Sequence, residues 1–272
     1  MGRGTWSWVV PDGLWEIAKP LIPPSRVRPQ GGGTQDTPDE TLFAAIVHVL
    51  VSGCAWRALP PCFGISKSTA HRRFVMWSRA GVWGRLHEAV LHRLDDADLV
   101  DVSRVVLDTA HVRAKKRGEH TGPSPVDRGR PGSKMHILSD ANGLPLVVGV
   151  PAGNVHDSEG LKPGVEGHQT QHDPYRGRHF KAKKLHADKA YHLPHLRKWL
   201  WGKHIGVRIA RKGIESSERL GRRRWVSERT MSWLSGYRRL SLRYERNPRN
   251  YLAFLGLAAG LCCYKRLVRL TT

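Results

Sequence analysis

The chain has 272 residues, 40% of them hydrophobic, enough for one large domain or a small and a medium one built on a real core. It carries 45 Lys and Arg against 23 Asp and Glu, a formal charge of +22, too much for solubility alone and suited to a polyanion, nucleic acid ahead of an anionic membrane surface. Its four cysteines, Cys54 and Cys62 eight apart and Cys262 beside Cys263, exclude a disulfide scaffold and a C-x2-C zinc site.

No apolar run follows Arg3 as a secretory signal would require, and the longest uncharged apolar stretch, residues 251–264, is too short to span a bilayer. The expectation is a cytoplasmic protein with no membrane partner. Leu14, Ile17, Ala18, Leu21 and Ile22 recur at helical spacing until Pro20, Pro23 and Pro24 end the helix. A Gly- and Pro-rich stretch over 26–38 reads as a linker or exposed loop. Asp39 and Glu40 open a helix whose apolar stripe is Leu42, Ile46, Val49 and Leu50, and Gly53 stops it. After Pro60, Pro61 and a turn at Gly64, Ser66 opens another helix. Helix, turn and a second helix bearing Ser66, Ser68, Thr69, His71, Arg72 and Arg73 have a helix-turn-helix shape. The hydroxyls are placed for base edges and the arginines for phosphates, although a three-helix bundle with a basic face gives the same pattern.

Residues 84–98 read as a connecting helix, and the composition then changes. Val105, Val106 and Leu107 form an apolar strand pattern ending in Asp108. A Gly-, Pro- and Arg-rich loop covers 117–133. Met135–Leu138 and Leu144–Val150 read as two strands of a hairpin joined by the Asp140-Ala141-Asn142-Gly143 turn. After a helix and a loop, Lys184–Ala187 is a strand ending in Asp188, Leu193–Leu200 a helix and Val207–Ala210 a strand. A long helix spans Trp225–Tyr244, and a final one, apolar enough to be buried, spans 251–267. Adjacent strands followed by strands alternating with helices predict an α/β sheet covered by helices.

Sites in such sheets gather beyond the carboxyl ends of strands. Asp108 and Asp188 end apolar strand patterns with no obvious turn after them, whereas Asp140 has the bland role of a turn residue. Glu228 is the third candidate, in a stretch from Arg211 to Arg249 with twelve basic residues and four acids. Four residues from Arg224 on one helix face, it reads either as half of a surface ion pair or as a metal carboxylate beside a phosphate-binding arginine. Three carboxylates suit two hard divalent ions, which take oxygen ligands and can serve the attacking and leaving oxygens of a phosphodiester reaction. The His168-x-x-x-His172 spacing lacks the Glu that a zinc protease needs. The Asp108-Thr109-Ala110 run lacks the second Asp of a phosphatase-like nucleophile motif.

Several stretches are similar to one family. Leu14–Pro24 looks like its opening, and Ser52-Gly53-Cys54-Ala55-Trp56-Arg57-Ala58-Leu59-Pro60 looks like its G-x-x-W-R-x-L-P signature. Leu107-Asp108-Thr109 is similar to its first-aspartate strand. Leu185-His186-Ala187-Asp188-Lys189-Ala190-Tyr191 matches its A-D-K-G-Y motif, with Ala190 where Gly is usual. Arg224-x-x-x-Glu228-Arg229-Thr230, with Trp233, Tyr237–Leu240 and Tyr244–Arg246, matches its glutamate helix, with Gly221 and Ser235 where the family's Y-x2-R-x3-E-x6-K pattern has Tyr and Lys. The chain thus resembles, nearly end to end, the DDE transposases of bacterial insertion sequences, of the insertion-sequence-five type.

The resemblance implies an N-terminal all-helical helix-turn-helix domain for DNA over 1–98 and a ribonuclease-H-like mixed sheet flanked by helices over 99–272. It implies Asp108, Asp188 and Glu228 as the catalytic triad holding two ions of Mg²⁺ or Mn²⁺, and Arg224 as the arginine beside it. Lys134, His136 and Lys189 become secondary DNA-binding candidates, and Asn154, His156 and Asp157 lie in a similar N-x-H-D loop. The implied activity is hydrolysis at the ends of a mobile element, recognised through terminal repeats, then attack of the 3′-OH ends on target DNA. The implied setting is a homo-oligomer on double-stranded DNA at the bacterial nucleoid. A DNA-binding regulator that has lost catalysis is the alternative.

Overall fold

The computed structural model describes residues 5–24, 37–170, 181–211 and 217–271, without side chains for 168–170 and 217–224. The short helix α1 (Leu14–Ala18) runs into a 3-10 turn at Pro20 and buries Leu14, Ile17 and Ala18. Helix α2 (Asp39–Ser52) ends at Gly53, whose left-handed φ of 70° few other residues adopt cheaply. Residues 53–66 then hold two 3-10 turns before α3 (Lys67–Arg79), so the helix pair has a longer connection than the tight turn the sequence suggested. The Ser66 hydroxyl caps α3 by accepting from the Thr69 N–H at 3.1 Å. Helix α4 (Val82–Asp96) completes the N-terminal part.

Strands β1 (Val105–Arg113), β2 (Gly122–Pro123), β3 (Pro131–Ser139), β4 (Pro145–Gly149), β5 (Lys184–Ala187) and β6 (Gly206–Ile209) form one mixed sheet. The order is β2-β3-β1-β5-β6, with β4 also paired to β3. β1, β3 and β4 are antiparallel neighbours, while β5 lies parallel to β1 and β6 parallel to β5. The hairpin turn forms because Asp140 is buried and accepts from the N–H groups of Asp101, Asn142 and Leu144. Burial nonetheless pushes its carboxyl up to about 6. The helices are α5 (Leu161–Thr170), α6 (Pro194–Gly202), α7 (Ser217–Ser235) and α8 (Pro248–Thr271). Two sequence expectations shift. β1 runs past Asp108 to Arg113, and α7 begins at Ser217 and stops at Ser235 rather than reaching Tyr244.

One apolar core contains residues from both sides of position 98. By length and composition α8 could cross a membrane, but 72% of its most apolar window is buried inside the protein. Its Gly256 and Gly260 lie one turn apart and bring its backbone against Trp83 and His87 of α4. His87 Nε2 in turn lies 2.7 Å from the Pro145 carbonyl at the start of β4. Tyr251 of α8 donates to the Leu240 carbonyl at 2.9 Å and touches Met135 Sδ of β3 at 3.4 Å.

The chain between α7 and α8 carries two buried arginines. Arg239 pairs with Glu245 at 2.6 Å and donates to the Cys54 carbonyl at 3.2 Å. Arg243 is fully buried and donates to the carbonyls of Glu119, His120, Glu245 and Arg246 and to the Ser133 hydroxyl. Replacing Arg243 by Met leaves those acceptors unsatisfied in a dry setting. The expected loss is about 3 kcal/mol of unfolding free energy; a urea midpoint matching the wild type would contradict it.

Candidate active site

The register of β1 and β5 builds the site. Leu107 pairs with Ala187, so the next residues, Asp108 and Asp188, stand side by side on adjacent parallel strands. Side chains alternate along a strand, which puts Asp108 on the same face as Ala110. Ala110 is the cross-strand neighbour of Met135, which α8 covers through Tyr251. Helix α7 packs on both β1 and α8, so Glu228 belongs to this face of the sheet. Asp108 is half-buried, and Asp188 and Glu228 are exposed.

Each aspartate is oriented by the backbone that follows it. Asp108 Oδ1 accepts from the Thr109 N–H at 2.8 Å, and Asp188 Oδ1 from the Lys189 N–H at 2.6 Å. Two expectations are corrected here. Asp108 lies in the middle of its strand, because the antiparallel ladder with β3 extends five residues beyond it, to Arg113. Asp188 is followed by a turn after all, the 3-10 turn Lys189–Tyr191, which it caps. Among the described residues no three His, Cys, Asp or Glu side chains gather closely enough to hold a metal ion. The register thus sets Asp108 and Asp188 on neighbouring strands.

The other face of β1 and β3 carries a polar layer formed by Thr109, His111, Lys134 and His136. Lys134 is buried, its ammonium 2.6 Å from Asp157 and 2.7 Å from the Val155 carbonyl. His136 is buried beneath Gly160, where any Cβ would collide with its ring. Its Nε2 finds no hydrogen-bond partner among the described residues. Lys134 and His136, expected from the sequence as DNA contacts, are thus both buried on this face of the sheet. Tyr191, to which the sequence gave no role, is buried near Asp157, Asp108 and Asp188; burial and these carboxylates push its phenol up, so it stays neutral. The A-D-K-x-Y spacing was the signal for it, since the turn after Asp188 folds that ring back into the core.

In the N-terminal part Ser68, His71 and Arg72 are exposed on α3, as expected, and Lys67, Met76 and Arg79 share that exposure. Ser66 and Thr69 are engaged with each other at 3.0 Å in the cap. Arg73, expected from the sequence at a phosphate, is buried 3.8 Å from Asp39 and ties α3 to α2. Lys189 is half-buried beside Asp188. The side chains of Arg224, Gly221 and His168, together with His172 and most of the 26–38 stretch, lie outside the described residues.

Burial pulls His136 down to about 4, with Asp157 opposing and Lys134 and His111 reinforcing. The unfolded chain takes up this proton near 6.5 and the folded chain only near 4. Stability from this group is present above about pH 6.5 and is lost as pH falls towards 4, up to about 3 kcal/mol. Asp140, raised to about 6, works in the opposite sense between 6 and 3.8. Thermal melts of wild type and His136→Gln, compared at each pH, cancel the Asp140 contribution. The difference between them is expected to shrink as the buffer is acidified from 7 to 4; a pH-independent difference would count against the assignment.

A family model described as "Putative transposase of IS4/5 family (DUF4096)" matches residues 10–87, and one described as "Transposase DDE domain" matches residues 101–263. The chain is 39% identical over 158 residues to the "Putative transposase for insertion sequence element IS402" of Burkholderia cepacia, covering 55% of this chain and 71% of that one. It is 36% identical over 119 residues to the "Insertion element IS402 uncharacterized 16.2 kDa protein" of the same organism, covering 43% and 81%. Among solved structures, a pre-cleavage Mos1 transpososome aligns over 89% of this chain and 82% of that one at 12% identity, with a TM-score of 0.28, too loose to carry an argument.

Proposed function

Since the chain belongs to the DDE transposase family and is an insertion-sequence transposase, we propose that it binds the terminal repeats of its element, hydrolyses phosphodiester bonds at the ends and joins the 3′-OH ends to target DNA. The observation that carries this is the β1–β5 register, which sets Asp108 beside Asp188 on the face that α7 shares. Residues 1–98 hold the DNA, through Ser68, His71 and Arg72 on α3, and residues 99–272 perform the chemistry. The protein works as a homo-oligomer in the bacterial cytoplasm, with double-stranded DNA as element end and as target.

Asp108 and Asp188, with Glu228 as the third, are hard oxygen donors open to water, a set that fits Mg²⁺ or Mn²⁺. Two such ions, when bound, supply a Lewis acid at the attacking oxygen and another at the leaving oxygen. The backbone N–H groups of Thr109 and Lys189 hold one oxygen of each aspartate and leave the other oxygen available to an ion. Lys189 stands next to Asp188, where a cation offsets phosphate charge.

With Mg²⁺ and DNA carrying the terminal repeats, Asp108→Ala, Asp188→Ala and Glu228→Ala are each expected to slow cleavage roughly a hundredfold or more while end binding is retained. An Asp188→Ala protein that cuts as fast as the wild type would remove the triad assignment. A DNA-binding regulator that has lost catalysis is the alternative reading. That reading predicts a gel shift with end DNA and no cleavage by the wild type. Arg72→Ala is expected to weaken end binding and to lower its salt dependence by about one phosphate contact.

A further inference from the structure

From Lys189 to Arg211 the chain has six Lys and Arg and no Asp, Glu, Asn, Gln, Ser or Thr. Helix α6 lies in the middle of this stretch. Its Leu196 and Leu200 are buried, while Lys198 and Trp201 face solvent, Trp201 at 59% exposure. The two indoles carry cations on their faces. Lys203 lies 5.0 Å and Lys162 of α5 5.8 Å from the Trp199 ring, and Arg197 lies 5.9 Å from the Trp201 ring. Arg197 is further fixed by donating to the Ile209 carbonyl at 3.1 Å. Glu166 is the one carboxylate on α5, one turn beyond Lys162.

A solvated basic helix holds its lysines extended into water and needs no exposed indole. Here the cations lie along the surface over aromatic rings, which keeps charge close to a low-dielectric face and raises the local potential. Residues 189–211 have no Asn, Gln, Ser or Thr, and Arg197, Lys203 and Lys162 are held against rings, so contacts to phosphates are favoured over readout of base edges. It is also rigidly joined to the site: Asp188 caps the 3-10 turn that leads into α6, and Tyr191 in that turn is buried beside both aspartates. Element ends have to be told apart by sequence, whereas a target duplex does not.

We propose that the exposed face of α6, with Lys162 of α5, is a sequence-neutral surface that holds the target duplex against the active site; this rests on the transposase reading above. The test compares the full-length wild type, Lys162→Ala/Lys198→Ala/Lys203→Ala and the corresponding triple Arg variant. Each is measured for binding to a duplex of unrelated sequence across a salt series, for cleavage of terminal-repeat DNA and for joining to a target plasmid, with a thermal melt as the check on folding. The Ala variant is expected to bind the unrelated duplex at least about tenfold more weakly, with a salt slope lower by about 2 to 3. Its joining is expected to fall while end cleavage stays within about threefold of wild type, and the Arg variant restores binding. Unchanged duplex affinity and unchanged joining would overturn the proposal, as would end cleavage falling in step with joining. A wild type that binds duplex but neither cleaves nor joins would refute the transposase reading, while the binding arm still decides whether α6 is the sequence-neutral surface.

Discussion

Two guanidinium groups buried just beyond the glutamate helix hold the three parts of this molecule in one arrangement. Burying a cation costs several kcal/mol unless its donors are satisfied, so an arginine in the core fixes every group it touches. Arg239 satisfies its donors with Glu245 and with the Cys54 carbonyl of the N-terminal part, and lies over the rings of Tyr244 and Phe254. Arg243 binds backbone carbonyls and the Ser133 hydroxyl of β3. The chain that leaves α7 is thereby tied to the helical part by one residue and to the sheet by another. The position of α7 on β1, and with it that of Glu228, follows.

The same constraint explains the G-x-x-W-R-x-L-P stretch. Gly53 ends α2 where a Cβ would come within 2.8 Å of Arg238 Cβ, so only glycine lets the two segments meet. Cys54 supplies its carbonyl to Arg239, and Trp56 packs on Phe74 and Phe254. The stretch works as a joint between the N-terminal helical part and the part that carries the sheet. With α8 packed between α4 and the hairpin strands, the two parts share one core.

Charge in this protein is sorted by face. On the α7 side of the sheet Asp188 and Glu228 are exposed and Asp108 is half-buried. On the opposite side Lys134 and His136 are buried with Asp157 at their edge, and Tyr191 closes the layer near Asp108 and Asp188. Within this inner layer the Lys134–Asp157 pair, reinforced by the Val155 carbonyl, ties β3 to the loop before α5.

Much of the architecture was legible in the chain. Helical periodicity located α2, α3, α4 and α8, and the Asp140–Gly143 turn located the β3–β4 hairpin, because apolar spacing and turn chemistry are local properties. Asp188 was legible as the residue after a strand, and Glu228 as an acid in a basic helix. By itself the sequence determined the element order and the excess of positive charge, since these depend on residue type and spacing alone. Only the tertiary structure decided which polar residues face inward. Arg73, Lys134 and His136 read as DNA contacts, yet Asp39, Asp157 and the turn at Gly160 enclose them, and those neighbours are remote in sequence. It alone also set Asp108 beside Asp188, because strand register is fixed by packing across the sheet, which no local pattern in either strand encodes.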